Sequence, residues 1–528
     1  MKSITLTFIS AITLFFALAV PVRLAAQEQT RNFRHYKLID IGTFGGTLSL
    51  MNFPGDSNNK AVNMRGVTVG ASATSTPKLP TSSPFICGGD DGFGFFITHA
   101  FRWQNGTVRD LGALPPRKVD CSNAYQVNAS GEMVGFSENG QVDPLVGFNQ
   151  SRAVRWKNGE IEDLGSFGGN QNEAISINNR GQIVGFSQNT ISSDCVGLNF
   201  FPLGTTQLRA FLWQKRVMRD LGTLGGNCAI ANYINEQGQV AGASETTTTP
   251  NPDTGIPPQD PFLWEEGKMT DLGTLGGAIG FPLFLNNHGQ VVGLSSTSAN
   301  PGACFTEGDP NCHPFLWKHG NLIDLGTTSF GGSPVTPDGF NDAGAIVGAA
   351  DFSSTGGSTF DAYLWRNGVA TDLGAVSGDC FSRAIAINSH SQVVGNSFSC
   401  DGNFHNAFLW QDGSIIDLNT LIPANSSLQL AGGSDINDRG EIAGIGVPPG
   451  IPPANVFVEG HAFLLIPVCA DGTEGCADAP IDPAVLAQNR AESGAVPKTM
   501  TAEELATFKQ RMARMEGRNR GFGVWPRR

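Results

Sequence analysis

The sequence lacks the short motifs that carry most well-understood enzyme chemistry. It holds no nucleophile elbow, no zinc-protease helix and no phosphate-binding loop. It also lacks Cys-x-x-Cys pairs and Asp-x-Asp-x-Asp-Gly loops, so zinc and EF-hand calcium sites are not expected. We therefore predict no cofactor, no metal and no catalytic residue, and the sequence favours a binding protein over an enzyme.

Positive charge and long apolar runs are also scarce. The chain has 34 Lys and Arg against 47 Asp and Glu, a formal net charge of −13. Such a surface repels phosphate backbones, so we do not expect nucleic-acid binding by the main body. After residue 26 no run of 18 apolar residues occurs, and membrane insertion is not expected.

Residues 1–26 have the pattern of a secretory signal peptide. Lys2 precedes an apolar stretch over residues 4–20, and the small residues Ala25 and Ala26 precede Gln27. The sequence therefore predicts a secreted or extracellular protein, with the periplasm as the alternative location.

Cysteines are few, but all of them follow the predicted cleavage site. The ten disulfide candidates are Cys87, Cys121, Cys195, Cys228, Cys304, Cys312, Cys380, Cys400, Cys469 and Cys476. An even number in an exported chain indicates disulfides. Pairing of sequential neighbours is the simplest arrangement, although the sequence leaves the connectivity open.

An internal repeat dominates the remainder, and its first phrase is aromatic, as in His-Ala-Phe-Arg-Trp. The phrase ends at Trp103, Trp156, Trp213, Trp264, Trp317, Trp365 and Trp410, and a last copy without Trp begins at His461. Successive Trp residues are 45 to 57 positions apart. That spacing is typical of a four-stranded propeller blade with its loops.

Two further phrases follow in fixed order. The second, Asp-Leu-Gly, begins at Asp110, Asp163, Asp220, Asp271, Asp324 and Asp372, with variants at Asp40 and Asp417. The third is Asn-x-x-Gly before a β-branched pair and Gly, anchored by Asn128, Asn178, Asn235, Asn286, Asn341, Asn388 and Asn437, with a degenerate copy at Asn63. The copies predict eight units, or seven if the degenerate unit forms no blade.

Turn chemistry indicates four strands in each unit. Asn105-Gly106 joins the aromatic run to the Asp-Leu run, which is a strong β-hairpin pattern, and Lys215-Arg216 departs from it. The Asn-x-x-Gly phrase joins two more β-rich runs. The chain begins in the second strand of a unit and finishes in the first, so one blade needs both termini. We predict an all-β fold, a propeller of about eight blades over residues 27–468, closed by the terminal strands.

The His-Ala-Phe-Leu-Trp, Asp-Leu-Gly-Thr-Leu-Gly-Gly and Ile-Asn-x-x-Gly-Gln-Val-Val-Gly phrases resemble those of the HAF-repeat family of probable extracellular bacterial proteins. The resemblance covers roughly residues 36–467, and the recurrence of the phrases in order makes it specific. It implies an extracellular location and a repeat architecture. It implies no particular biochemical activity.

The repeated residues are interpreted as structural. Each Asp of the second phrase is expected to accept backbone N–H bonds in a turn; a cation-binding ring of carboxylates is the alternative. Each Phe and Trp of the first phrase is expected to pack between blades, because aromatic residues bury large apolar areas.

The loops on one face are the predicted binding surface. Pairs Cys87–Cys121, Cys195–Cys228, Cys304–Cys312 and Cys380–Cys400 would all stiffen this face, where long variable loops emerge. We expect a monomeric binding or scaffolding protein with an extracellular polysaccharide or protein as partner. The alternatives are a glycan-degrading propeller enzyme and a structural envelope protein.

The segment 469–528 differs from the repeats. Residues 469–476 indicate a small closed loop, followed by a Pro-containing linker. A capping box at residues 501–504 predicts a helix to about residue 516, with a basic end. This tail is interpreted either as a solvated helix or as a segment that docks on an acidic surface.

Overall fold

The computed structural model describes residues 34–51, 60–82, 96–115, 120–193, 195, 206–252, 254–298, 312–326, 336–352, 360–469, 472–474, 476 and 479–492. The predicted signal peptide and the predicted basic helix lie outside these residues. Within the described ranges, no helix is both long enough and apolar enough to span a bilayer.

In the described residues, thirty-two strands form eight four-stranded antiparallel units, which follow chain order except that β1 belongs to the last. Unit 1 contains β2 (Gly45–Leu50), β3 (Thr68–Pro77), β4 (Phe96–Gln104) and β5 (Thr107–Asp110), and unit 2 contains β6 (Ser122–Val127), β7 (Met133–Val142), β8 (Asn149–Lys157) and β9 (Glu160–Asp163). Unit 3 contains β10 (Gly168–Ile177), β11 (Ile183–Ser192), β12 (Thr206–Gln214) and β13 (Val217–Asp220), and unit 4 contains β14 (Ala229–Ile234), β15 (Val240–Glu245), β16 (Gln259–Glu265) and β17 (Lys268–Asp271). Unit 5 contains β18 (Gly276–Leu285), β19 (Val291–Thr297), β20 (Cys312–Lys318) and β21 (Asn321–Asp324). Unit 6 contains β22 (Thr336–Phe340), β23 (Ile346–Asp351), β24 (Phe360–Arg366) and β25 (Val369–Gly374). Unit 7 contains β26 (Phe381–Ile387), β27 (Val393–Phe398), β28 (Phe404–Gln411) and β29 (Ser414–Asp417). The all-β class with four strands per unit is thus confirmed.

Unit 8 is built from both ends of the described chain. It contains β30 (Gln429–Ile436), β31 (Ile442–Val447), β32 (His461–Val468) and β1 (His35–Asp40). Strand β1 pairs antiparallel with β32 over its full length, from His35 opposite Val468 to Asp40 opposite Phe463. The N-terminal strand therefore completes a sheet whose other strands lie about 400 residues away along the chain.

The unit boundary differs from the one the phrases predict. Sequence order placed the aromatic strand first, whereas each sheet begins with the strand before the Asn-x-x-Gly turn. The reason is the pairing of the strand after that turn with the following aromatic strand, as in β11 with β12. Two pairs of units also share one parallel bridge each, between Gln171 and Ser151 and between Gln259 and Ile279.

Short hairpins join the third and fourth strands of each unit. Asn105 and Gly106 have φ of 49° and 80°, both in the left-handed region that a type I′ turn requires. Lys215 and Arg216 adopt the same conformation, with φ of 51° and 65°, although neither is glycine. Sheet twist thus imposes this turn even where the sequence does not favour it.

The glycine after the β-branched pair of the third phrase has no room for a side chain. A Cβ on Gly242 would collide with the backbone carbonyl of Ile230 in the first strand and would lie 2.6 Å from the ring of Phe262 in the third. Gly185 meets the carbonyl of Glu173 in the same way. The repeated Gly therefore lets the first strand and an aromatic ring approach the second strand closely.

The aromatic phrase packs between neighbouring units. In unit 3, Phe211 and Trp213 are buried and lie in one cluster with Val134 and Ala153 of unit 2. Since successive strand residues point to opposite faces, only alternate positions of the phrase reach this seam. The apolar core is therefore a series of seams between sheets.

The anchoring Asn residues link all eight units through a cycle of hydrogen bonds. Each side-chain Nδ2 donates to the backbone carbonyl of the Asn in the next unit, at 2.8–3.3 Å. The order of donors is Asn63, Asn128, Asn178, Asn235, Asn286, Asn341, Asn388 and Asn437, and Asn437 donates back to Asn63. The last unit therefore contacts the first.

The linker after residue 476 contains a helix that the sequence analysis missed. Helix α2 (Pro483–Glu492) begins after Asp482, whose Oδ1 accepts the backbone N–H of Ala484 at 2.7 Å. Ile481 is buried in a cluster that also includes Leu486. Asp followed by Pro is a standard helix start, so the pattern was present in the sequence.

Candidate functional site

The antiparallel order of the strands gives the molecule two distinct faces. The turn face carries the Asn-x-x-Gly turns and the short hairpins. The stapled face carries the connections from second to third strands and from each unit to the next. A short helix, α1 (Val456–Glu459), lies in one of these connections and packs near β2 and β31.

Disulfides occur on the stapled face. Cys195 pairs with Cys228 and Cys380 pairs with Cys400, the pairs that sequential order predicts. Cys469 pairs with Cys476 as well, but directly after the third strand of unit 8, at the end of the sheet that belongs to the turn face. Cys121 and Cys312 are disulfide-bonded as well, whereas Cys87 and Cys304 lie outside the described residues. The disulfides Cys195–Cys228 and Cys380–Cys400 each join the loop after a second strand to the segment before a first strand.

The aspartates of the second phrase lie in turns at this face. Oδ1 of each accepts the backbone N–H two residues later at 2.7–2.8 Å. These aspartates are Asp40, Asp110, Asp163, Asp220, Asp271, Asp324, Asp372 and Asp417. The residues that pair with five of them, at 2.9–3.0 Å, are His461, His99, Arg152, Arg209 and His313. The carboxylates are thus distributed, one per unit, and serve the turns.

Unit 4 departs from this pairing. Asp260 occupies the position of the cation and forms a hydrogen bond with Asp271. Burial and the neighbouring Asp271 charge raise the pKa of Asp260 to about 7. The two carboxyls therefore share a proton at mildly acidic pH.

A cluster in unit 7 has no counterpart among the repeat phrases. His405 Nδ1 lies 2.5 Å from Asp379 Oδ1, and Asn406 Nδ2 donates to Asp379 Oδ2 at 3.1 Å. The Asp379 side chain is fully buried, while 45 % of the His405 side chain is exposed. A buried carboxylate that orients a partly exposed imidazole presents a hydrogen-bonding group to solvent.

The staple Cys380–Cys400 flanks this cluster on both sides. Cys380 follows Asp379 directly, and Cys400 closes the loop that leads into His405. Burial raises the pKa of the nearby Asp417, and the Asp379 charge raises it further. The cluster was not predicted because Asp379 and His405 lie beside the repeated phrases, and only Asn406, the first residue of the aromatic phrase, lies within one.

A cavity of about 290 Å³ opens at the turn face, opposite the predicted binding surface. All eight units contribute to its lining, which lies where their first strands end at the cycle of Asn residues. The cavity is therefore shared by all eight units. It was not predicted, because no single phrase contains it.

The wall of the cavity varies from unit to unit at one repeat position. Two residues before each anchoring Asn stand Gln126, Ser176, Tyr233, Phe284, Gly339, Ala386 and Asp435 in units 2 to 8. This variation, next to an Asn that is the same in every unit, is the only sequence pattern that indicates the cavity. The units have similar backbones, but each contributes a different side chain to the wall.

Asp435 is the carboxylate in that wall. Its Oδ1 accepts the backbone N–H of Ile436 at 2.8 Å, and Oδ2 accepts that of Val62 at 3.1 Å. Burial raises the pKa of Asp435 to about 6, although these hydrogen bonds and the Lys60 charge oppose the rise. Asp435 as a residue is partly exposed and lines the cavity.

Deeper in the same region, an ion pair joins units 6 and 7. The Arg383 guanidinium donates to both carboxylate oxygens of Asp338, at 2.6 and 2.8 Å, and both side chains are buried. This pair ties neighbouring first strands together. Across the described part of the chain, no group of three or more His, Cys, Asp or Glu is arranged to hold a metal ion.

Comparison with known proteins gives only distant structural similarity. No family model matches the chain, and no curated protein matches it. An acylaminoacyl peptidase from Pyrococcus horikoshii is 12 % identical over 78 % of this chain, with a TM-score of 0.38. The chain spans 59 % of that peptidase.

Two further solved structures are similar at the same level. The β-propeller domain of the trilobed protease from Pyrococcus furiosus is 9 % identical, covers 70 % of this chain and is itself covered to 97 %, with a TM-score of 0.38. An ulvan lyase of a polysaccharide lyase family is 12 % identical, covers 73 % of this chain and is covered to 100 %, with a TM-score of 0.35. At these scores the comparisons carry no functional argument.

Proposed function

We propose that the chain is an exported, closed eight-bladed β-propeller that binds an extracellular glycan or protein on its stapled face. Two observations support closure: the cycle of Asn hydrogen bonds returns to Asn63, and β1 completes the sheet of β30 to β32. A closed ring leaves no unpaired terminal unit, which favours eight blades over seven.

The observation that carries the binding role is the Asp379–His405 cluster beside the Cys380–Cys400 staple. A polar group held rigidly by burial and a disulfide loses little conformational entropy when a ligand binds. Loops on a rigid frame are the usual location of binding residues. The disulfides also agree with an oxidising extracellular or periplasmic compartment.

The carboxyl pair Asp260–Asp271 does not favour the alternative of a glycan-degrading enzyme. Glycosidase carboxyls stand roughly 5–10 Å apart on either side of the bond that is cleaved. Asp260 and Asp271 are hydrogen-bonded directly, and Asp271 also accepts the backbone N–H of Gly273. No room for a substrate remains between them.

The test is retention of the purified mature protein, residues 27–528, on insoluble polysaccharides and cell-wall preparations. Mass spectrometry of the soluble fraction reports released sugars. We expect retention without release, and at least a tenfold loss of retention in His405→Gln and Asp379→Asn. His313→Gln is the matched control, because His313 also pairs with an aspartate, Asp324, at 3.0 Å.

Three results would count against the proposal. Released oligosaccharides would indicate an enzyme. Equal losses in His405→Gln and His313→Gln would show that the cluster has no special role. Absence of retention, with no protein recovered from the extracellular fraction in a cross-linking experiment, would leave a structural role as the better explanation.

A further inference from the structure

We propose that the axial cavity at the turn face is a second ligand site, which takes one neutral or amine-bearing sugar ring. The inference does not depend on the binding role of the stapled face, because the two sites open on opposite faces. It rests on the size, the asymmetry and the charge of the cavity wall.

The volume of the cavity limits the size of the ligand. The volume of about 290 Å³ lies at the lower end of the roughly 300–1,000 Å³ that ligand pockets occupy. The first strands that form the wall are held by the cycle of Asn bonds, so the cavity exists before any ligand binds. A preformed cavity reduces the entropic cost of binding.

One side of the wall is aromatic. Tyr233 in unit 4 is partly exposed and stacks on Phe284 in unit 5, with ring centroids 6.5 Å apart and planes only 10° from parallel. An aromatic face presents a weakly negative surface to the C–H groups of a ligand. The apolar face of a sugar ring has such C–H groups.

The opposite side is polar. Units 4 and 8 are four steps apart in the cycle of eight, so Asp435 lies across the axis from Tyr233. Gln126, Ser176 and Lys60 extend the polar side toward unit 3. These groups offer donors and acceptors to several hydroxyls. A wholly apolar ligand would instead desolvate Asp435 and Lys60 without compensation.

Charge selects against anions. The lining contains Lys60 as its only cation among the described residues, against the carboxylates of Glu236, Asp338, Asp342, Asp435 and Asp438, of which Asp338 is neutralised by Arg383. Their summed field repels phosphates, sulfates and uronic acids. A neutral sugar meets no such penalty, and an amino sugar gains from the field.

The first experiment measures binding of three probes, D-glucose, D-glucosamine and D-glucuronate, to the disulfide-intact mature protein. Saturation-transfer NMR detects binding, and titration gives the dissociation constant. We expect glucose and glucosamine to bind, and glucuronate to bind at least tenfold more weakly. Equal binding of glucuronate, or binding of no probe, would overturn the proposal.

Variants locate the site. Ala386→Trp fills the cavity from unit 7, and we expect at least a tenfold loss of glucose binding. Thr371→Trp, on the exposed outermost strand β25, is the matched control and should bind as the wild type does. Unchanged binding in Ala386→Trp would place the sugar elsewhere and refute the axial site.

A second, isosteric variant keeps the test decisive if Ala386→Trp folds poorly. Asp435→Asn preserves the shape of the wall but removes the charge, and we expect glucosamine binding to fall more than glucose binding. Equal affinities of Asp435→Asn and wild type for both sugars would refute the site. Asp435→Asn should leave retention on insoluble polysaccharides unchanged, which separates the axial site from the stapled face.

Discussion

The side-chain amide of Asn437 in unit 8 donates to the backbone carbonyl of Asn63 in unit 1 at 2.9 Å, across 374 positions of sequence. Asn437 Oδ1 also accepts the backbone N–H groups of Arg439 and Glu441, both at 3.0 Å. One side chain therefore shapes its own turn and joins unit 8 to unit 1.

Removing one member of the Asn cycle should leave buried donors and acceptors unpaired. We expect Asn437→Ala to lower the free energy of unfolding by about 1–3 kcal/mol, the usual cost of unsatisfied buried polar groups. Asn286→Ala should cost a similar amount. Denaturant unfolding measures both. Asn321→Ala, at an exposed hairpin position, is the control and should lie within about 0.5 kcal/mol of wild type. A neutral effect of Asn437→Ala would mean that the cycle does not contribute.

The crowded glycine of the third phrase should not tolerate a methyl group. We expect Gly242→Ala to destabilise by about 1–3 kcal/mol or more, because the new Cβ overpacks against Ile230 and Phe262. Gly222→Ala is the comparison, since Gly222 has φ of 89° but open space around it. It should cost only about 1 kcal/mol from backbone strain. Thermal unfolding would contradict the explanation if Gly222→Ala proved the more damaging change.

The double variant Gly242→Ala with Phe262→Leu offers an internal check. Removing ring atoms that lie 2.6–2.8 Å from the added Cβ should recover part of the loss. The two changes should therefore be less than additive in a double-mutant cycle. Full additivity would mean that the ring does not contribute to the crowding.

The hairpin of unit 3 carries avoidable strain. Lys215 and Arg216 both have positive φ, so Lys215→Asn with Arg216→Gly should raise the free energy of unfolding by about 1 kcal/mol. Arg216 also pairs with Glu162 at 2.9 Å on the surface. The single variant Lys215→Asn keeps this ion pair, so it measures the relief of turn strain separately from the loss of the pair, which we expect to be small. No gain in stability would show that the strain is offset elsewhere in the turn.

The Asp260–Asp271 pair should make stability fall as the solution becomes less acidic. Folding raises the pKa of Asp260 to about 7 from a usual value near 3.8, so the folded state holds a proton that the unfolded state releases. Its contribution is full below about pH 4 and is lost as pH rises to about 7. Asp260→Asn should remove this slope, and Asn406 at the equivalent place in unit 7 shows that Asn fits. Parallel stability curves for the two proteins between pH 4 and 7 would contradict the shared proton.

Sequence patterns predicted the units well because the repeat depends on local chemistry. Asn105-Gly106 favours a tight hairpin by itself, and the alternation of Phe211 and Trp213 marks one face of a strand. The same reasoning predicted the cysteine pairs, since neighbouring loops come close on one face. It misplaced the unit boundary, because pairing of β11 with β12 is not encoded in either phrase alone.

Neither candidate site could be predicted from the repeated phrases, because its residues are far apart in the sequence. Asp379 and His405 are 26 positions apart, and Tyr233 and Asp435 lie in units 4 and 8 although they line the same cavity. None belongs to a repeated phrase. Pairing of β26, β27 and β28 within unit 7 brings Asp379 to His405, whereas packing of several units around one cavity brings Tyr233 and Asp435 into a common wall.

The sequence by itself determined the eight four-stranded units, because strand, turn and close-packing preferences act over a few residues and recur with each copy. Tertiary structure alone decided which residues share a site. Burial of Asp379 beside His405 requires the strands of unit 7 to pair, and the presence of Asp435 and Tyr233 in one wall requires units 4 and 8 to line the same cavity. Local propensities specify each sheet, whereas packing and hydrogen bonds between the sheets specify what they enclose.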